Sequence, residues 1–214
     1  MIQGAIFDLD GLLLDTERIY EDAWIKYGPK YGFGDSTFLA ETFCGMSKDK
    51  IIHTLNKYHV EAKEYLKDVI QYVSKHELTD LHVKPGVNEI LSFFQSKGIG
   101  CAVASSSPKN LILRNLKIVG LDSYFDEIVS GDEVEHGKPA PDIFLEAAHR
   151  LNVDPKHCFV FEDAINGVHA GVSAGCKTIM IPDRLKPEKD FYKTTYGIFD
   201  NLHAAMNQIK CMMD

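Results

Sequence analysis

FDLDGLLLDTE, residues 7–17, is the stretch on which the fold turns. Residues 4–9 (GAIFDL) are apolar apart from Asp8, Gly11 follows Asp10 directly, and an apolar run resumes at residues 12–14. A short apolar run of this kind reads as a buried strand, and carboxylates are rarely buried unless paired or bound to a metal. Residues two apart on a strand point to the same side, so Asp8 and Asp10 converge where the strand ends. Gly11 lets the chain turn sharply past them. Two carboxylates so close repel, so a functional site here needs a divalent cation or a shared proton; the alternative is a turn that happens to be acidic. An EF-hand loop is excluded, because Leu12 and Leu13 fall where that loop needs Asp or Asn and then Gly.

Outward from this stretch, further short runs rich in Val, Ile and Phe recur at 99–104, 127–130, 158–162 and 178–181. Helical patterns separate most of them. Residues 85–97 place Val87, Ile90, Leu91 and Phe94 on one stripe, and Gly98 stops that helix. Ser107-Pro108 reads as an N-cap followed by Pro at the first helical position, opening a helix through Leu116, and Pro141 opens another over 142–151. Strands alternating with helices predict an α/β fold, a doubly wound parallel sheet covered on both faces. Residues 167–175 space Gly167, Gly171 and Gly175 four apart. The segment is too short for membrane helix pairing, so it reads as close helix-to-sheet packing with Gly175 as C-cap.

Between residues 16 and 82 the pattern changes. Helical periodicity is broken at Gly28-Pro29, at residues 32–34 and at Cys44-Gly45, and 61–78 reads as one long amphipathic helix. An all-helical insert of about 65 residues is too large for a loop. The expected organisation is a core made of residues 1–14 and 83–214 with a helical domain at 15–82.

The formal net charge of -8 offers no basic stripe for nucleic acid, and an anionic substrate must be met by a local cluster of positive groups or by a cation. The five cysteines (Cys44, Cys101, Cys158, Cys176, Cys211) form no CxxC pair and read as thiols in a reducing compartment. The N-terminus has no basic n-region, and no apolar run approaches the roughly 20 residues that span a bilayer. These features predict a cytoplasmic protein without membrane or nucleic-acid partners, and a monomer.

Three further stretches carry chemistry. Ser105, Ser106 and Ser107 follow the apolar run 100–104 at a strand end that runs into a helix, where amides and hydroxyls make an anion site or a plain serine cap. In HGKPAPD (136–142), Lys138 sits between Gly137 and Pro139 on a stiff loop, as a site cation or a solvated lysine; a P-loop is excluded by spacing and by Pro139 in place of Ser or Thr. In FVFEDAINGV (159–168), Glu162 and Asp163 end another apolar run, as hard oxygen ligands of the kind magnesium prefers or with Asp163 as an N-cap.

Taken in order, DLDG, the serine at a second strand end, the lysine of GKPAPD and the ED pair resemble the four motifs of the haloacid dehalogenase-like superfamily, over essentially the whole chain. The helical insert resembles the cap of its first subfamily, which contains phosphatases and β-phosphoglucomutase. The resemblance implies a Rossmann-like core with a helical cap, and an enzyme that hydrolyses a small phosphorylated metabolite with Mg²⁺. It implies Asp8 as nucleophile, Asp10 as acid–base, Ser105, Ser106 and Lys138 as phosphoryl binders, and Asp8, Asp10 (through its carbonyl), Glu162 and Asp163 at the metal. The aspartate at position 10 favours an oxygen leaving group, since the family's dehalogenases lack it. Arg18, Tyr20, Trp24, Lys48 and Lys50 are candidates for cap specificity. In the family's β-phosphoglucomutases a histidine and an arginine stand where this chain has Tyr20 and Lys48, which favours hydrolysis over isomerisation.

Overall fold

The computed structural model describes all residues except 44, 45, 47, 59, 185, 188 and 214 and the side chains of 48, 49 and 213. The chain divides into two compact units, one formed by Met1–Leu14 with Val83–Asp214 and the other by Asp15–His82.

The first unit is built on six parallel strands: β1 (Gly4–Phe7), β2 (Gly100–Ser105), β3 (Glu127–Ser130), β4 (Cys158–Glu162), β5 (Lys177–Met180) and β6 (Gly197–Ile198). Their order across the sheet is β3-β2-β1-β4-β5-β6, the order of a Rossmann sheet. The direction of winding reverses beside β1, so the loops after β1 and β4 part there and leave a crevice at the carboxyl edge, where such sheets bind ligands.

Strand parity decides which face each side chain serves. Phe7 and Phe161, paired in register, stack with ring centroids 4.6 Å apart and pack against Phe94 of the helix Val87–Ser96. Val87, Ile90, Leu91 and Phe94 are all buried, which is why that helix forms on this stripe. On the opposite face Ile6, Ala102, Ala104 and Val160 pack against Ile143, Phe144, Ala147 and Ala148 of the helix Asp142–Arg150 and Ala170 of the helix Ile165–Ser173. Asp8 continues the parity of Ile6, and Glu162 that of Val160. Both therefore project toward the face covered by Asp142–Arg150.

The predicted strands are all present, joined by the two-residue edge strand β6, which no apolar run announces. The helix after β2 is Lys109–Ile118, with Pro108 rather than Ser107 at its N-cap and no side-chain cap bond. The C-cap of helix Ile165–Ser173 is Ala174 rather than the expected Gly175, which follows one residue later with φ 78°.

The second unit contains the helices Thr16–Tyr27, Thr37–Phe43, Lys48–Asn56 and Ala62–Asp80. Trp24 is buried against Phe43 and Tyr65, and the Tyr65 hydroxyl donates to the Trp24 carbonyl at 2.9 Å. Arg18 ties the ends of this unit together, donating to Asp80 Oδ2 at 3.0 Å, to the Asp80 carbonyl at 2.8 Å and to Asp15 at 3.3 Å. The expected break at Cys44-Gly45 lies outside the described residues. Among those described, no helix is long and apolar enough to cross a membrane, and Cys101, Cys158, Cys176 and Cys211 are unbridged thiols.

Candidate active site

Asp8 remains within the sheet's ladder, its N–H donating to the Phe161 carbonyl at 3.0 Å. Its carboxylate is therefore held against the ends of β2 and β4 rather than on a free loop. Gly11, with φ 88°, turns the chain immediately afterwards and donates to the Leu14 carbonyl at 2.9 Å. The turn leaves Asp10 facing the loop after β2: its Oδ2 accepts from Ser107 Oγ at 2.8 Å and from Ser105 Oγ at 3.2 Å. Ser105 Oγ in turn accepts from the Ser107 N–H at 3.0 Å. Ser106 is exposed.

Lys138 enters from the loop that precedes helix Asp142–Arg150. Its ammonium donates to Asp8 Oδ1 at 2.5 Å, Glu162 Oε1 at 2.6 Å and the Ala104 carbonyl at 3.1 Å, three acceptors for three N–H groups. These acceptors come from adjacent positions on β1, β4 and β2, so strand register has built the lysine's receptor. The ammonium also stands 4.9 Å from the centroid of the Phe144 ring. The solvated alternative for this lysine is excluded, since its side chain is only 7% exposed.

Glu162 is buried and committed at both oxygens: Oε2 accepts from the N–H groups of Asp163 and Ala164, each at 3.0 Å. Gly167 makes this possible. A Cβ there would lie 1.7 Å from Glu162 Oε1. Gly171 allows the same helix to approach Thr178 and Val160, so of the glycines in the spaced series one serves the site and one the packing.

Burial pushes the Asp8 carboxyl up to about 8, with Glu162 and Asp10 adding to the rise and Lys138 opposing it. For Lys138, burial works to lower its proton affinity, but Asp8 and Glu162 outweigh it and hold it above the ordinary lysine value. Asp8, Glu162 and Asp163 offer carboxylate oxygens all within 4.8 Å of one another, against one ammonium. With all three carboxyl groups ionised, one lysine would leave negative charge uncompensated, and a hard divalent cation is the partner that such oxygen donors fit.

Of the residues singled out in the sequence, Asp8, Lys138, Glu162 and Asp163 meet in one cluster. The Asp10 carboxylate lies outside the carboxylate triplet and on the serines, and Ser105 is engaged with Asp10. Asp163 is not an N-cap, because Ala164 occupies that position. Ser107, read as a cap, is instead a partner of Asp10; the available signal was its spacing of two from Ser105. Gly167, expected to serve packing, makes room for the Glu162 carboxylate, and its position five after Glu162, near the helix start, is the sequence signal for that role. In the helical unit Arg18 is occupied by Asp15 and Asp80, Trp24 is core, Tyr20 is half-buried and Lys50 exposed. The Lys48 side chain lies outside the described residues.

The model of the haloacid dehalogenase-like hydrolase family matches residues 5–181, and the chain belongs to that family. A phosphorylated carbohydrates phosphatase of Thermotoga maritima is 38% identical over 186 residues, covering 83% of this chain and 84% of that protein. A fructose-1-phosphate phosphatase of Escherichia coli is 33% identical over 180 residues, 82% of this chain and 94% of that protein. A solved Thermotoga maritima structure, provisionally assigned as a β-phosphoglucomutase, superposes with a TM-score of 0.81 at 32% identity, covering 98% of this chain and 99% of that one. Within the family, the enzyme is a phosphatase.

Proposed function

We propose that the enzyme hydrolyses a small phosphate monoester, a sugar phosphate or similar metabolite, through a phosphorylated Asp8. The observation that carries this reading is the receptor of Asp8, Lys138, Glu162 and Asp163 at the carboxyl edge of β1 and β4. Asp8 attacks phosphorus in line, forming an O–P bond as the bond to the ester oxygen breaks. The departing oxygen takes a proton from the carboxylic acid of Asp10, which then removes a proton from the water that attacks the acyl phosphate, releasing phosphate and restoring Asp8. Lys138 and the Ser105 hydroxyl neutralise and orient the phosphoryl oxygens. Mg²⁺ is the cation this donor set fits: Asp8, Asp163 and the Asp10 carbonyl would hold it, with Glu162 turned to Lys138 behind them. When bound, it offsets the repulsion between an anionic nucleophile and an anionic substrate. The helical unit 15–82 then serves as the cap that selects the ester.

The test is phosphate release from a panel of phosphorylated sugars with and without Mg²⁺ and chelator, for the wild type and Asp8→Asn. Metal-dependent release that falls at least about 10³-fold in the variant is expected, since the covalent route is closed. Metal-independent turnover, or a variant within tenfold of wild type, overturns the reading.

Likeness to the provisionally assigned β-phosphoglucomutase supports a second reading, return of the phosphoryl group to the sugar. Tyr20 cannot become a cation near neutral pH and Lys48 lacks a bidentate fork, so hydrolysis is the preferred outcome. With β-glucose 1-phosphate, catalytic bisphosphate and Mg²⁺, phosphate release should exceed glucose 6-phosphate formation.

A further inference from the structure

We infer that Ser107 is a positioning residue for Asp10, holding its carboxyl group in the orientation from which it serves the leaving oxygen. The inference rests on the reading of Asp10 as acid–base group and adds to it the residue that aims it. Two hydroxyls, Ser107 Oγ at 2.8 Å and Ser105 Oγ at 3.2 Å, donate to the same oxygen, Oδ2. Both donors converge on one oxygen, which fixes the orientation of the carboxyl group and makes Oδ1 the oxygen that the serines leave for the leaving group.

The two serines are not equivalent. Each hydroxyl has one proton to donate. Ser105 ends β2 beside Lys138's acceptor Ala104, and a phosphoryl oxygen in the site claims its proton. The hydroxyl of Ser107 then remains as the donor that holds Asp10. Its own placement is firm: the buried Ser130 at the end of β3 donates to the Ser107 carbonyl at 3.0 Å, and the Ser107 N–H is bound to Ser105 Oγ at 3.0 Å. The half-buried Ser107 hydroxyl is not spent on helix Lys109–Ile118, whose N-cap is Pro108 without a side-chain bond. A serine fixed at both backbone groups, with its hydroxyl on the acid, is built to orient.

The test compares kcat/KM, which reports the step that expels the leaving group, for an alkyl ester (glucose 6-phosphate) and an aryl ester (p-nitrophenyl phosphate). The alkoxide needs a proton to leave and the nitrophenolate does not. Ser107→Ala should lower the alkyl value by about tenfold or more and the aryl value by no more than about threefold, a part of the 10²–10⁴ that acid–base catalysis supplies. Ser107→Thr, which keeps the hydroxyl, should restore the alkyl value to within about threefold of wild type. Equal losses on both esters would mean that Ser107 serves the shared phosphate or the fold, and no loss would mean that it serves neither; both overturn the inference. Asp10→Ala on the same pair separates the two levels. If it discriminates between the esters and Ser107→Ala does not, the inference alone fails; if it does not discriminate, the acid role fails and the inference with it.

Discussion

Lys138 at the edge of the sheet and Lys30 in the helical unit each hold an aspartate oxygen at 2.5 Å, yet the contacts do different things. The Lys138 side chain is 7% exposed and shared between Asp8 and Glu162, while that of Lys30 is 60% exposed and reaches Asp68, which also accepts from the Tyr31 hydroxyl at 2.7 Å. Water screens the second pair and leaves it little to contribute. Desolvation makes the first pair interdependent: without the lysine, two buried carboxylates have no ammonium, and without them the lysine has no reason to be buried. Bond length is the same in both; the dielectric around it decides the consequence.

Removing each lysine is the sharpest way to break this comparison. Lys138→Met should lower kcat by about 10³-fold, as expected for loss of an electrostatic clamp on transferring phosphate. It should also destabilise the metal-free protein by about 3 kcal/mol near neutral pH. The sign of the pH dependence follows from Asp8, whose carboxyl is raised from the ordinary value to about 8 in the fold. A raised acid costs stability as pH climbs through the interval from about 4 to 8, and the variant, lacking the opposing charge, should carry that loss on above pH 8 in urea titrations. Equal stability loss at about pH 6 and about pH 9 would show that packing, not charge, is what Lys138 supplies.

Next in size is Gly167→Ala. The added methyl collides with the Glu162 carboxylate and frees one of Lys138's acceptors. A fall in kcat of about 10²-fold is expected, with stability lower by about 1–3 kcal/mol from overpacking. A variant with wild-type kcat would show that Glu162 is dispensable in its present position.

A smaller effect is expected from Glu133, which ends the network behind Ser107. It accepts from the Ser130 N–H at 2.9 Å, from Lys109 at 2.8 Å and from Arg150 at 3.2 Å. Burial alone would raise its carboxyl, but Lys109, the Ser130 N–H and Arg150 together bring it down to about 2. A lowered acid adds stability above its unfolded value and loses it as pH falls toward the folded one. Glu133→Gln should therefore cost about 1 kcal/mol at pH 7, from a cap and partly exposed ion pairs. The gap to wild type should close between about pH 4.5 and 2; a gap that persists at pH 2 would rule out the charge as its origin.

The smallest effect closes the comparison. Lys30→Met should leave the melting temperature within about 2 °C of wild type and remove what salt dependence the pair has.

Much of this architecture was legible because it is written locally. The run at 4–9, the stripe of Val87, Ile90, Leu91 and Phe94, and the acidic pairs at strand ends are visible in windows shorter than about 15 residues. Strand β6 was not, since two half-buried edge residues carry no period. Ser107 was misread for a related reason: Ser before Pro at a helix start satisfies a local capping rule, and that rule was overridden by an aspartate 97 positions away. Arg18, a candidate for specificity, spends its guanidinium on Asp80, 62 positions on.

By itself, then, the sequence determined the alternation of strands and helices, hence a parallel α/β sheet, and it determined that carboxylates stand where strands end. Side-chain period and turn chemistry are properties of neighbouring residues, and they need no partner to be read. Only the tertiary structure decided the strand order that brings β1 beside both β2 and β4, the insertion of Lys138 between Asp8 and Glu162 across 130 and 24 positions, the turning of Asp10 onto the serines, and the space that Gly167 leaves for a buried carboxylate. Those outcomes depend on which distant groups share a desolvated volume and can satisfy one another there, a condition set by packing rather than by any short run of residues.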